Sequence, residues 1–172
     1  MQVHHSHNFK LEGSAMAIGA FDGIHKGHQE VIRCTVERAA KLSVPSVIYT
    51  FSPSPRVYFQ QARILLPYEE KIEKIRELGV DYVVVAKFNR EYLNRSAFSF
   101  ICELKNMNPR HIIVGEDFKF GYKRAGDVNM LRDYFKVETI RPVCCADGER
   151  ISSTRIRQLI SEGKMEQAIP LL

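Results

Sequence analysis

Short apolar runs and amphipathic stretches take turns along this chain. Residues 16–19 (MAIG) form an apolar run closed by glycine and predict a first strand. Across residues 28–42 the period changes: Val31, Ile32, Thr35, Val36, Ala39 and Leu42 recur at helical spacing. Residues 45–51 (PSVIYTF) are β-branched and apolar, as expected of a strand covered on both faces. A proline- and serine-rich loop follows at residues 52–55, then a less regular stretch to Leu66. Pro67 opens the next helix, with Lys71, Ile72, Ile75 and Leu78 in register and Gly79 as its stop. Residues 81–86 (DYVVVA) predict a third strand, 96–105 a helix capped by Ser96, and 111–114 (HIIV) a fourth strand. A short helix over 127–134 and a fifth strand over 137–141 come next. Residues 153–162 close the pattern as a helix stopped by Gly163, with a short helical tail after Lys164.

Strands that alternate with helices imply parallel pairing and right-handed crossovers. The expected fold is therefore α/β, a doubly wound and mostly parallel sheet, with residues 1–172 forming a single domain. Ligands of such sheets bind beyond the carboxyl ends of the strands, near the point where strand order reverses. The loops after Gly19, Phe51, Ala86, Val114 and Arg141 are the places to search.

Composition narrows the classes. Of 172 residues, 45% are hydrophobic and 26% charged, the balance of an ordinary globular protein. No apolar run reaches the roughly 18 residues of a membrane span, and no basic-then-apolar leader opens the chain, so a cytoplasmic location is expected. The net charge of +5 suits phosphate-bearing ligands; the basic residues are interspersed with acidic ones, which argues against nucleic acid or membrane partners. Cys34, Cys102, Cys144 and Cys145 form no CxxC pair and read as reduced, mostly buried thiols. His4, His5 and His7 lack downstream partners for a metal and read as tail residues.

Residues 19–28 (GAFDGIHKGH) carry the sharpest chemical signal. His25 and His28 stand three apart at the start of a helix, whose free N–H groups and positive dipole end attract anions. Gly23 and Gly27 allow the backbone to come close to a phosphate. A capping role or a metal pair are the other readings of the two imidazoles. Residues 151–157 (ISSTRIR) start a second helix with hydroxyls, and Arg157 lies one turn on, on the face of Ser153 and Thr154. Alone this is also how a plain capped helix looks; beside the histidine motif it reads as a triphosphate cradle with a two-pronged arginine.

The segment GxFDGxHxGH resembles the signature of the nucleotidyltransferase superfamily, in particular of bacterial FAD synthetases, whose N-terminal module is an FMN adenylyltransferase. The resemblance runs in order through most of the chain: Thr50 to Pro55 matches TFxPxP, Val114 to Gly121 matches VGxDFxFG, and Ile151 to Arg157 matches ISSTxxR. It implies a Rossmann-like nucleotidyltransferase fold and transfer of AMP from ATP, carried as its Mg2+ complex, to FMN, giving FAD and pyrophosphate. It implies His25, His28 and Arg157 as catalytic, and Gly19, Phe21, Asp22, Gly27, Ser153, Thr154 and Arg157 on ATP. It implies Phe51, Pro53, Pro55, Asp117, Phe120 and Arg150 beside the flavin, with Asp117 also a candidate magnesium ligand. The first and last motifs are shared by relatives that use other phosphorylated acceptors; the middle two point to flavin. Ala20 stands where the family commonly has Asn, and Ser54 where it commonly has His, which keeps a catalytically weak flavin-binding protein as a rival. The family's usual riboflavin kinase module has no counterpart before Leu172, so the expectation is use of FMN but not of riboflavin.

Overall fold

A computed structural model of the chain describes residues 1–5, 9–60 and 62–172. In chain order the strands are β1 (Gln2–His4), β2 (Ser14–Ile18), β3 (Ser46–Ser52), β4 (Tyr82–Lys87), β5 (Pro109–Gly115), β6 (Lys119–Phe120), β7 (Gly126–Asp127) and β8 (Val137–Ile140). The helices are α1 (Lys26–Leu42), α2 (Pro55–Gln60), α3 (Tyr68–Glu77), α4 (Arg90–Leu93), α5 (Ala97–Asn106), α6 (Val128–Arg132), α7 (Ser153–Ser161) and α8 (Met165–Ala168).

Among the described residues one sheet has the order β1-β4-β3-β2-β5-β8, every pairing parallel, and β6 and β7 form a separate antiparallel ribbon. Alternate residues of the strands face opposite layers, as the period of two requires. Met16, Val47, Tyr49, Val84 and Ile112 pack with Phe100, Ile101 and Leu104 of α5 and Leu131 of α6. Ala17, Ile48, Val83, Val85 and Ile113 pack with Val31 and Ile32 of α1 and Ile72 and Ile75 of α3. Helices thus cover both faces, the doubly wound arrangement expected from the sequence. A third cluster, built on Ile151, Ile156, Leu159, Ala168 and Leu171, seats α7 and α8.

The five expected strands all form, to within a few residues at their ends. β1 escaped the pattern because three residues are too few to show a period; it lies on the sheet edge, with Val3 opposite Val83 of β4. The irregular stretch after residue 52 contains α2, which buries none of its residues and so displays no apolar stripe. The short helix expected over 127–134 is narrower, with Asp127 as its cap accepting from the Met130 amide at 3.1 Å. The thiols correct an expectation. Cys102 and Cys144 are exposed and Cys34 and Cys145 half-buried, because each lies on an outer helix face or in the hairpin before α7. His4 stacks on Phe9 at 3.9 Å and His5 Nε2 lies 3.4 Å from the Tyr68 hydroxyl, whereas His7 is outside the described residues.

Gly121 is held in place by two constraints. Its φ is +74°, and a Cβ there would come within 2.7 Å of the Ala97 backbone. Gly121→Ala should therefore cost about 2–4 kcal/mol, combining left-handed strain with a clash against backbone that cannot swing aside. Urea unfolding of the variant checks this.

Candidate active site

Strand order reverses at β2. From there the chain steps outward to β3 and β4, then crosses back to β5 and β8 on the other side. The loops leaving β2 and β5 must part at that point, which opens a cleft beyond Ile18 and Gly115.

The loop after β2 sets the histidines. His25 caps α1: its Nδ1 accepts from the His28 amide at 3.3 Å. The two imidazoles stack, with centroids 3.6 Å apart and planes 16° from parallel. Gly27 makes this overlap feasible, since a Cβ at that position would sit 3.2 Å from two atoms of the His25 ring. Phe21 meets His28 edge-on from below, at 5.4 Å. Burial pushes the His25 pKa down to about 4, with Asp22 opposing and Arg150 assisting. Burial also takes His28 well below its usual value, helped by the charges of His25 and Lys71. Both rings are therefore neutral at pH 7, and each has an N–H to donate. His28 Nδ1 is buried with no hydrogen-bond partner among the described residues.

These shifts have a consequence for stability. In the unfolded chain each histidine takes up its proton near pH 6.5, and the folded form resists until about pH 4 at His25. Their contribution is complete above pH ~6.5 and is lost as the pH falls through that window, because the unfolded state binds more protons there. Tm measured from pH 7.5 to 4.5 should fall over this range. His25→Asn, which keeps a capping oxygen, should flatten the decline.

Asp22 links this loop to α7. Its carboxylate pairs with the Arg157 guanidinium and accepts from Ser54 Oγ at 3.2 Å, while its carbonyl accepts from Ser153 Oγ at 2.7 Å. Ser152 caps α7, and Thr154 Oγ1 accepts from Arg56 of α2. His25, Asp22, Ser153, Thr154 and Arg157 thus line one cleft of about 530 Å³. A second cleft, about 350 Å³, lies over the ends of β2, β5 and β8, lined by Gly19, Gly27, His28, Ile140 and others. Asp117 and Arg150 line both clefts. A third space, about 590 Å³, is walled by Phe51, Phe59, Phe88, Tyr92, Phe118 and Phe120. It shares Pro55, Arg56 and Arg124 with the first cleft and Phe118 with the second, so the three spaces adjoin.

Several expected site residues sit elsewhere than anticipated. Phe21 is 1% exposed and buttresses His28 rather than facing ligand space. Pro53 is exposed and lines none of the three spaces, because the chain turns outward before α2. Asp117 and Arg150 pair with each other at 2.8 Å between the polar clefts, away from the aromatic one. Gly23 has φ +84° and packs on Leu65 instead of opening toward a phosphate. As for magnesium, Asp117 is an exposed carboxylate already engaged by an arginine. Mg2+ wants six oxygens, so this one carboxylate does not make a site by itself.

Sequence reasoning missed Lys71 as a site residue. It is 7% exposed, and its ammonium donates to the carbonyls of Ala20 at 2.8 Å and Phe51 at 3.2 Å, tying the loop after β2 to the end of β3. Burial lowers its pKa to about 8, against the pull of Asp22. A lysine on the apolar stripe of α3 was the available signal. Phe59, Phe88 and Tyr92 were also missed, since none belongs to a motif. At the two departures from the family pattern, Ser54 donates its hydroxyl to Asp22, while at position 20 the contacts with Lys71 and Thr50 use the backbone carbonyl, which any residue would supply.

Comparison with known proteins bears on family and fold. The FAD synthetase family model matches residues 7–155. A protein of Geobacillus thermodenitrificans, provisionally named as a bifunctional riboflavin kinase/FMN adenylyltransferase, is 51% identical over 100% of this chain and 97% of its own length. The bifunctional riboflavin kinase/FMN adenylyltransferases of Haemophilus influenzae and Escherichia coli are 37% and 32% identical over 98% and 99% of this chain, which spans 58% and 57% of theirs. A crystal structure described as a macrolide-efflux protein from Streptococcus pneumoniae superposes with a TM-score of 0.86 at 31% identity, over 99% of this chain and 61% of that one. With four ordered motifs folded around adjoining clefts and a family match over residues 7–155, the chain belongs to the FAD synthetase family.

Proposed function

We propose that residues 1–172 act as one FMN adenylyltransferase domain, moving the adenylyl group of MgATP onto the phosphate of FMN to give FAD and pyrophosphate. One observation carries the reading: His25 and an Asp22-anchored serine-threonine-arginine helix start face one polar cleft, His28 stacks on His25 and lines the adjoining cleft, and the polar cleft shares residues with an aromatic cavity. The cavity suits an isoalloxazine, the polar cleft the phosphates, and the cleft over β2 and β5 the adenosine. A phosphate oxygen of FMN attacks the α-phosphorus; the bond from that phosphorus to the bridging oxygen breaks, and pyrophosphate leaves with the electron pair. The nucleophile is already ionised near neutral pH, so no general base is needed, and alignment and charge stabilisation do the rest. Neutral His25 and His28 donate N–H groups to the oxygens around the α-phosphorus, while Ser153, Thr154 and Arg157 receive the leaving pyrophosphate. Neither imidazole changes protonation state. Of the two activities in the relatives' names, the arrangement supports adenylyl transfer, and phosphorylated substrates of this kind support a cytoplasmic location.

The test is incubation with FMN and MgATP, following FAD and pyrophosphate together, with riboflavin as a parallel substrate. FAD and pyrophosphate should appear in equal amounts from FMN and not from riboflavin. Binding of FMN without pyrophosphate release would instead mark a flavin-binding protein.

A further inference from the structure

Charge is distributed unevenly where the aromatic cavity meets the polar cleft. Four arginines line the polar cleft: Arg56, Arg124, Arg150 and Arg157. Two are already matched, Arg150 with Asp117 and Arg157 with Asp22. In the aromatic cavity, Arg95 is matched by Glu103 at 2.5 Å and Lys119 by Asp127 at 3.2 Å. Lys123 lies over the Tyr122 ring and lines only the aromatic cavity. Among the described residues, Arg56 and Arg124 are the cations that line both spaces and have no carboxylate partner. Among the described residues the Arg56 side chain bonds a hydroxyl alone, that of Thr154.

They reach the junction from different elements. Arg56 comes from the first turn of α2, after the loop that leaves β3. Arg124 comes from the short turn Tyr122–Arg124 between β6 and β7, where its φ of +60° and a bond from its amide to the Gly121 carbonyl at 3.0 Å set its direction. Two guanidiniums without a carboxylate partner among the described residues, shared by an aromatic cavity and a polar cleft, fit a flat ring system that carries a phosphate on a short tether.

We infer that Arg56 and Arg124 form a clamp for the acceptor's own phosphate, and so determine preference for a phosphorylated flavin over its unphosphorylated form. The inference rests on the adenylyltransferase reading, and it extends it to two residues outside all four motifs. The clamp holds the attacking phosphate at the seam between the spaces, facing the α-phosphorus, and leaves the triphosphate to α7.

The test separates this from the wider reading by omitting ATP. Binding of FMN and of riboflavin is followed by flavin fluorescence quenching for the unmodified chain, Arg124→Gln and Arg56→Gln. The unmodified chain should bind FMN about tenfold or more tighter than riboflavin; each substitution should weaken FMN about tenfold and leave riboflavin within about twofold. In steady-state assays of the same variants, KM should rise for FMN and stay within about threefold for ATP. Equal binding of the two flavins by the unmodified chain, or equal weakening of both in a variant, overturns the clamp and leaves the transferase reading standing. A raised KM for ATP with unchanged FMN binding assigns the arginines to the triphosphate and overturns it too. Binding of neither flavin removes the transferase reading, and the clamp with it.

Discussion

His28→Ala should lower kcat by about two to three orders of magnitude while the Kd for FMN changes by less than about threefold. His28 is stacked between His25 and the edge of Phe21, so its ring has one orientation and loses no freedom when the reaction begins. A donor fixed in this way is worth most when charge develops on a phosphate oxygen, and little to a flavin bound in the neighbouring cavity. Its lowered pKa keeps the ring neutral, so the deficit should be the same at pH 7 and pH 8.5. Stopped reactions with saturating FMN and MgATP give kcat, and fluorescence titration gives Kd. An unchanged kcat would remove His28 from the chemistry and leave it as packing for His25.

Arg157→Ala should have two separable effects. Its guanidinium and the Asp22 carboxylate are mostly buried, at 13% and 9% side-chain exposure. Removing the cation strands the carboxylate, at a cost of about 2–4 kcal/mol in stability. It also removes the two-pronged donor expected to receive pyrophosphate, so kcat/KM for ATP should drop about a hundredfold or more. Combining Asp22→Asn with Arg157→Ala distinguishes them. The double variant should regain most of the lost stability, because no unpaired charge remains, yet recover none of the activity. Recovery of activity would mean that Arg157 serves only to balance Asp22. Arg157→Lys should fall between, since an ammonium can neutralise Asp22 but cannot present two parallel donors.

Legibility in the sequence followed distance along the chain. Strands β2, β3, β4, β5 and β8 and the long helices could be read because burial imposes a period of two or 3.6 on neighbouring residues. A cap is local too: Ser96, expected to cap its helix, accepts from the amide three residues ahead. β1 and α2 could not be read, one being three residues long and the other having no buried side. The histidine and ISSTRIR motifs are likewise local, each laid out within one turn of a helix start.

What the sequence determined by itself is therefore the α/β alternation, the helix starts that collect N–H groups and hydroxyls, and the family to which the four motifs belong. Tertiary structure decided how they combine. Asp22 meets Arg157 across 135 residues, and Lys71 reaches the Ala20 carbonyl across 51, contacts that no local period can encode. The fold also moved Phe21 beneath the histidine, turned Pro53 out to solvent and drew Arg56 and Arg124 to one seam. The reason is geometric: a parallel sheet gathers the loops at one end of its strands, so residues distant in sequence become neighbours only once strand order is known.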